Sequence, residues 1–110
     1  MKSMIRRAAL GAVLCGVAGA GLAAADPAQL AVKSGCMACH FTDKKLVGPP
    51  FQEIAAKYKG RADAIAYLSQ RVRKGGPGNW GVIPMVPNDV SKLSEADLKT
   101  LLTWILGMAK

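Results

Sequence analysis

Gly35-Cys36-Met37-Ala38-Cys39-His40 is the stretch on which the reading of this 110-residue chain turns. A Cys-x-x-Cys-His run is the attachment signature of c-type haem. Two thiols at this spacing can add to neighbouring vinyl groups of the ring as thioethers. The histidine that follows stands one turn along, where an imidazole nitrogen can reach the iron. Rival uses of the pair need features this chain lacks. A thioredoxin-like redox site needs a βαβ pattern around it, and none is visible. A zinc site needs further ligands, but the only other cysteine is Cys15 and His40 is the single histidine.

Upstream, Lys2, Arg6 and Arg7 precede an uncharged run from Ala8 to Ala25 that exits through Ala23-Ala24-Ala25. Basic, apolar and small-residue regions in this order are the plan of a secretory signal peptide. Cleavage is expected after Ala25, leaving residues 26–110 as one small domain. A retained anchor is the competing reading. Gly11, Gly16, Gly19 and Gly21 make the run a poor permanent span, so no permanent membrane anchor is expected. Cys15 follows Leu14, too bulky for a lipoprotein cleavage site, and is expected to leave with the signal.

Without Lys2, Arg6 and Arg7 the 15 basic residues become 12 against 7 acidic ones, a formal +5. Nucleic acid is not the expected partner, because no dense Lys/Arg cluster with interleaved aromatics is present. Steering toward an acidic protein surface is the better reading of the excess. A domain this short buries a modest core and benefits from a staple, which a covalently held apolar ring would supply.

The domain reads as helices joined by Gly/Pro-rich loops, with no strand-like alternation. Asp26 suits an N-cap and Pro27 the first helical position, with Leu30 and Val32 expected inward and a stop near Gly35. Phe51 to Tyr58 reads as a short helix ended by Gly60. Asp63 is expected to cap the next helix, with Ile65, Leu68 and Val72 on one face. Ser94-Glu95-Ala96-Asp97 is a capping signal for a last helix carrying Leu98, Leu101, Leu102, Ile105 and Met108 along one stripe, with Trp104 at its edge. Between these helices, residues 75 to 90 hold four glycines and three prolines and read as a long loop. An unstructured connection of that length usually has a task.

One axial histidine leaves the opposite face of a haem open. Met37 lies inside the attachment loop, and Met108 belongs to an apolar stripe where methionine is an ordinary gap-filler. Met85, between Pro84 and Pro87 in the long loop, is the candidate second ligand. Its prolines restrict the backbone and reduce the entropy lost in holding one side chain. A thioether is a soft, neutral ligand that raises the potential of the iron. The competing reading is that Met85 packs the loop against the core.

With these features in place, the chain resembles the short bacterial class I cytochromes c, of the c-551/c-552 type, over nearly all of residues 26–110. The resemblance rests on the Cys-x-x-Cys-His stretch, on Leu46-Val47-Gly48-Pro49, on residues 79–88 around Met85, and on the Trp104 helix. It implies an all-α cytochrome c fold, a small helical domain wrapped around one covalent haem c. It also implies roles residue by residue. The Pro49 carbonyl accepts a hydrogen bond from the non-ligating nitrogen of His40, Asn88 bonds near the Met85 sulfur, and Trp80 and Arg71 lie by the haem propionates. Arg71 has an alternative as a solvated helix residue beside Arg73 and Lys74. Haem attachment of this kind takes place outside the bacterial cytoplasm, which agrees with a periplasmic location.

The function implied is one-electron transfer between a respiratory donor and a terminal oxidase or reductase, without catalysis. The expected species is a monomer docking through the haem edge among Lys33, Lys44 and Lys45. The alternative is a haem with an open or labile sixth site, acting in gas sensing or peroxide reduction. It would require that Met85 not ligate.

Overall fold

The computed structural model describes residues 9, 11–13, 16, 25–78 and 80–110. The expected signal peptide, Cys15 included, lies almost wholly outside the described residues. Among the described residues no helix is long and apolar enough to cross a membrane.

Helix α1 (Pro27–Lys33) begins as its first residues dictate: Asp26 Oδ1 accepts from the Ala28 amide at 3.0 Å, and Pro27 takes the first helical position. Gly35, at φ +77°, ends the turn. That left-handed conformation suits glycine, and it leads directly into a 3₁₀ turn over Cys36–Ala38. Helix α2 (Phe51–Tyr58) follows a loop stitched to its start. The amides of Phe51 and Gln52, which have no partner within the helix, donate to the carbonyls of Phe41 and Thr42 at 2.8 and 3.0 Å. Helix α3 spans Ala64–Lys74 and α4 spans Glu95–Leu106. Ser94 Oγ caps α4 by accepting from the Asp97 amide at 3.2 Å.

Helix α4 is the hub, packing against α1, α2 and α3. Its Leu98, Leu101, Leu102 and Ile105 are buried among Ala31, Phe51, Tyr58, Ala64, Leu68 and Leu93. Each buried side chain of that size contributes about 1.5–3 kcal/mol, so four on one face make α4 the main apolar anchor. Ala31 and Ala55 are fully covered, small residues where helices approach.

Four sequence expectations change in detail. The 75–90 segment is not wholly irregular: β1 (Gly76–Gly78) and β2 (Gly81–Met85) pair antiparallel, Gly76 with Met85 and Gly78 with Gly81, with an irregularity between. Pairing here is by backbone alone, and Val82 and Ile83 are exposed, so no buried face leaves an alternating pattern. Val32 points outward, because two residues along a helix turn the side chain away from the face used by Leu30. Asp63 holds the N-cap position of α3 without a side-chain cap bond; its carboxylate takes both forks of Arg61, at 2.7 and 3.1 Å. Met108 lies beyond the end of α4 but still packs against the core.

Candidate haem-binding site

A cavity of about 360 Å³ opens between the two Gly/Pro-rich loops and the buried faces of α3 and α4. That is within the range of small-molecule sites, about 300–1,000 Å³. Cys36, Cys39 and His40 line one wall, Trp80, Ile83 and Met85 another, and Leu68, Leu101, Leu102 and Ile105 the floor. The residues fit a haem. The floor is apolar and the wall carries two cysteines not joined in a disulfide. No three His, Cys, Asp or Glu side chains cluster to hold a bare ion among the described residues. Iron brought in its own ring needs only axial donors from the protein.

The 3₁₀ turn builds the cysteine wall. The amides of Cys39 and His40 both donate to the Cys36 carbonyl, at 3.1 and 2.9 Å, which brings the motif round one tight turn. Burial pushes the Cys36 thiol above its ordinary range, and the neighbouring Cys39 adds to the shift; a bond to its own backbone opposes it.

His40 is fixed on three sides. Its Nδ1 lies 2.7 Å from the Pro49 carbonyl oxygen. A carbonyl only accepts, so Nδ1 carries the proton and the lone pair is left on Nε2. Phe51 stacks on the ring, with centroids 5.5 Å apart and planes 18° from parallel. Gly48 covers it from another direction: a Cβ there would sit 2.6 Å from His40 Cε1. Gly48 is a site residue to which the sequence assigned no role, its one mark being its place directly before Pro49. Its need is steric, since its φ is not positive.

Of Met37, Met85 and Met108, only Met85 lines the cavity; the other two pack against the core. Met85 ends β2 and is half-buried. Gly75, buried and at φ +62°, lies beneath this segment, where a Cβ would strike the Met85 carbonyl and approach Pro87 N to 2.8 Å. Gly75, too, was unmarked beyond its place at a helix end.

The remaining candidates also line the cavity, with partners of their own. Arg71 is not a solvated helix residue: its Nη2 donates to Pro77 O at 3.1 Å and Gly76 O at 3.5 Å, placing its charge beside β1. Trp80 is partly exposed, with Lys57 Nζ 4.7 Å from its ring centre. Asn88 donates from Nδ2 to the Val86 carbonyl at 3.3 Å, and its amide donates to Val72 O at 2.9 Å.

Comparison with known proteins identifies the family. The cytochrome c family model matches residues 24–109. A cytochrome c2 of Rubrivivax gelatinosus is 51% identical over 82 residues, covering 74% of this chain and 96% of that one. A cytochrome c-552 of Hydrogenobacter thermophilus is 48% identical over 80 residues, covering 73% and 79% respectively. The crystal structure of Nitrosomonas europaea cytochrome c552 superimposes with a TM-score of 0.67 at 47% identity, covering 74% of this chain and 98% of that one. With a family model over residues 24–109 and relatives near half identical, this chain belongs to the cytochrome c family, which binds haem c covalently through a Cys-x-x-Cys-His motif, and Cys36 and Cys39 are positioned for it.

Proposed function

We propose that residues 26–110 form a soluble periplasmic one-electron carrier, with haem c bound through Cys36 and Cys39 and with His40 and Met85 as its axial ligands. When bound, the haem supplies one-electron redox chemistry at its iron. His40 Nε2 and the Met85 sulfur would hold that iron. The Pro49 carbonyl keeps the His40 proton on Nδ1, which leaves Nε2 free to donate and strengthens it as a ligand. A neutral thioether from Met85 would favour the reduced state. Arg71 and Trp80, on the cavity wall, are assigned to the propionates, and Asn88 to tuning the sulfur side. No acid/base pair is required, because an electron carrier moves no proton at the iron.

The observation that carries this reading is that a single apolar cavity brings Met85, and neither Met37 nor Met108, into the same wall system as the Cys-x-x-Cys-His turn. Exposed Lys33, Lys44 and Lys45 stand near that turn, and their charge suits a brief, salt-sensitive encounter with an acidic donor or acceptor. Residues 1–25 are assigned to a signal that is removed on export.

The deciding experiment is the absorption spectrum of the purified holoprotein, oxidised and reduced, beside a Met85→Ala variant. A weak ferric band at the red end, lost in the variant, is the expected result. A high-spin wild-type spectrum that shifts with carbon monoxide or cyanide, unchanged by the substitution, would leave an open haem with a sensing or peroxide-reducing role. Intact mass reports on export: loss of residues 1–25 and gain of one haem is expected.

A further inference from the structure

Arg73 does not line the cavity, yet it is the most heavily bonded cation of the described residues near it. Its side chain is only 19% exposed. Nη1 donates to the Leu93 carbonyl at 2.6 Å and to the Asn88 carbonyl at 3.4 Å, while Nη2 reaches Glu95 Oε1 at 2.9 Å. Its Nε is buried without a partner. Glu95 is 76% exposed, so the ion pair adds little in water. The two carbonyls are what a long, half-buried guanidinium is holding, through bonds that its charge strengthens.

These bonds have a consequence upstream. The last turn of α3 grips Asn88 at both ends of its backbone: Val72 O accepts from its amide at 2.9 Å, and Arg73 donates to its carbonyl. Three residues earlier, Met85 pairs with Gly76, which follows the same helix. Only Val86 and Pro87 lie between, and Pro87 has its φ fixed by its ring. Met85 is therefore suspended on a short, stiff span between two points that α3 controls. We infer that Arg73 is a positioning residue for Met85: by pinning the Asn88 and Leu93 carbonyls, it holds the methionine segment closed over the cavity. This rests on Met85 being an iron ligand.

The test uses the ferric holoprotein in four forms: wild type, Arg73→Met, Arg73→Lys and Glu95→Gln. Imidazole is titrated in while the red methionine–iron band is followed, and thermal unfolding is followed separately by far-UV circular dichroism. Arg73→Met is expected to let imidazole displace Met85 at a concentration about tenfold or more lower, the scale of a lost charge-assisted hydrogen bond. Arg73→Lys falls between, since an ammonium cannot reproduce the fork. Glu95→Gln tracks the wild type. A brace that merely joins α3 to α4 would lower the unfolding temperature and leave the imidazole midpoint in place, and that result overturns the proposal. Should Arg73→Met not accumulate, an unshifted midpoint in Arg73→Lys overturns it equally. Absence of the band in the wild type removes Met85 as a ligand, and the proposal with it.

Discussion

The two walls of the cavity are held by different means. On the histidine side, every restraint on His40 comes from residues within about one loop of it: Pro49 at its Nδ1, Phe51 on its face, Gly48 against its edge. Phe51 is itself 2% exposed and meets Trp104 edge-on at 6.0 Å, so the imidazole is tied to the core. On the methionine side, Val82 of the ribbon is 89% exposed, while Ile83 and Met85 line the cavity. The ribbon's register is irregular, and its position is borrowed from α3 through Gly75, Val72 and Arg73. Few buried contacts mean a low cost of local opening. The lesson is that the two proposed ligands can differ in security, the His40 nitrogen being part of the core and the Met85 sulfur part of a segment held from outside it.

The largest effect is expected from striking the histidine side at its root. Phe51→Ala removes the ring under His40 and the partner of Trp104, and is expected to cost about 3–5 kcal/mol, read by denaturant unfolding of the holoprotein. A loss below 1 kcal/mol would show that His40 is not coupled to the core.

Two glycine substitutions then set the walls against each other. Gly48→Ala drives a methyl group into His40, an overpacking expected to cost about 1–3 kcal/mol. It should lower the temperature of global unfolding. Gly75→Ala places an alanine at φ +62° against Met85 and Pro87, with a strain of about 1–3 kcal/mol. Here the methionine–iron band is expected to fade at temperatures where far-UV helix content is still intact. If band and helix signal fall together in both variants, the two walls open as one unit and the contrast is broken.

A smaller effect lies outside both walls. Ser94→Ala removes the cap of α4 and is expected to cost about 1 kcal/mol, leaving the band untouched up to the unfolding transition. The smallest is the acid response of Asp63. The hydrogen bonds from Arg61 lead in holding its carboxyl below its ordinary 3.8, the guanidinium charge adds to this, and desolvation opposes it. A depressed native value means the stabilisation is complete above the unfolded carboxylate range and is lost as the pH falls through the native value. Asp63→Asn should therefore lower stability slightly at neutral pH, where the ion pair is intact, and flatten the profile below about pH 4, with a smaller loss at high salt.

Much of the histidine wall was legible before any coordinates, because its signals are local. A cysteine pair three apart with an adjacent histidine, Asp26-Pro27 at a helix start and Ser94 three residues before Asp97 all act across four residues or fewer, so each leaves a readable spacing. Resemblance extended this to Pro49 and Met85, both of which line the cavity. The methionine wall was less legible. A three-residue strand of glycine and proline paired with a five-residue one is too short for alternation to announce it.

The sequence by itself determined the attachment turn, the order and ends of the helices, and which methionine could be spared from the core. Tertiary structure alone decided that Gly48 must be small and that Arg73 reaches residues 88 to 95. The reason is physical. Capping and helical spacing are set by bonds between near neighbours, whereas a guanidinium on one helix and a carbonyl 15 or 20 residues later meet only after α3 and α4 have packed.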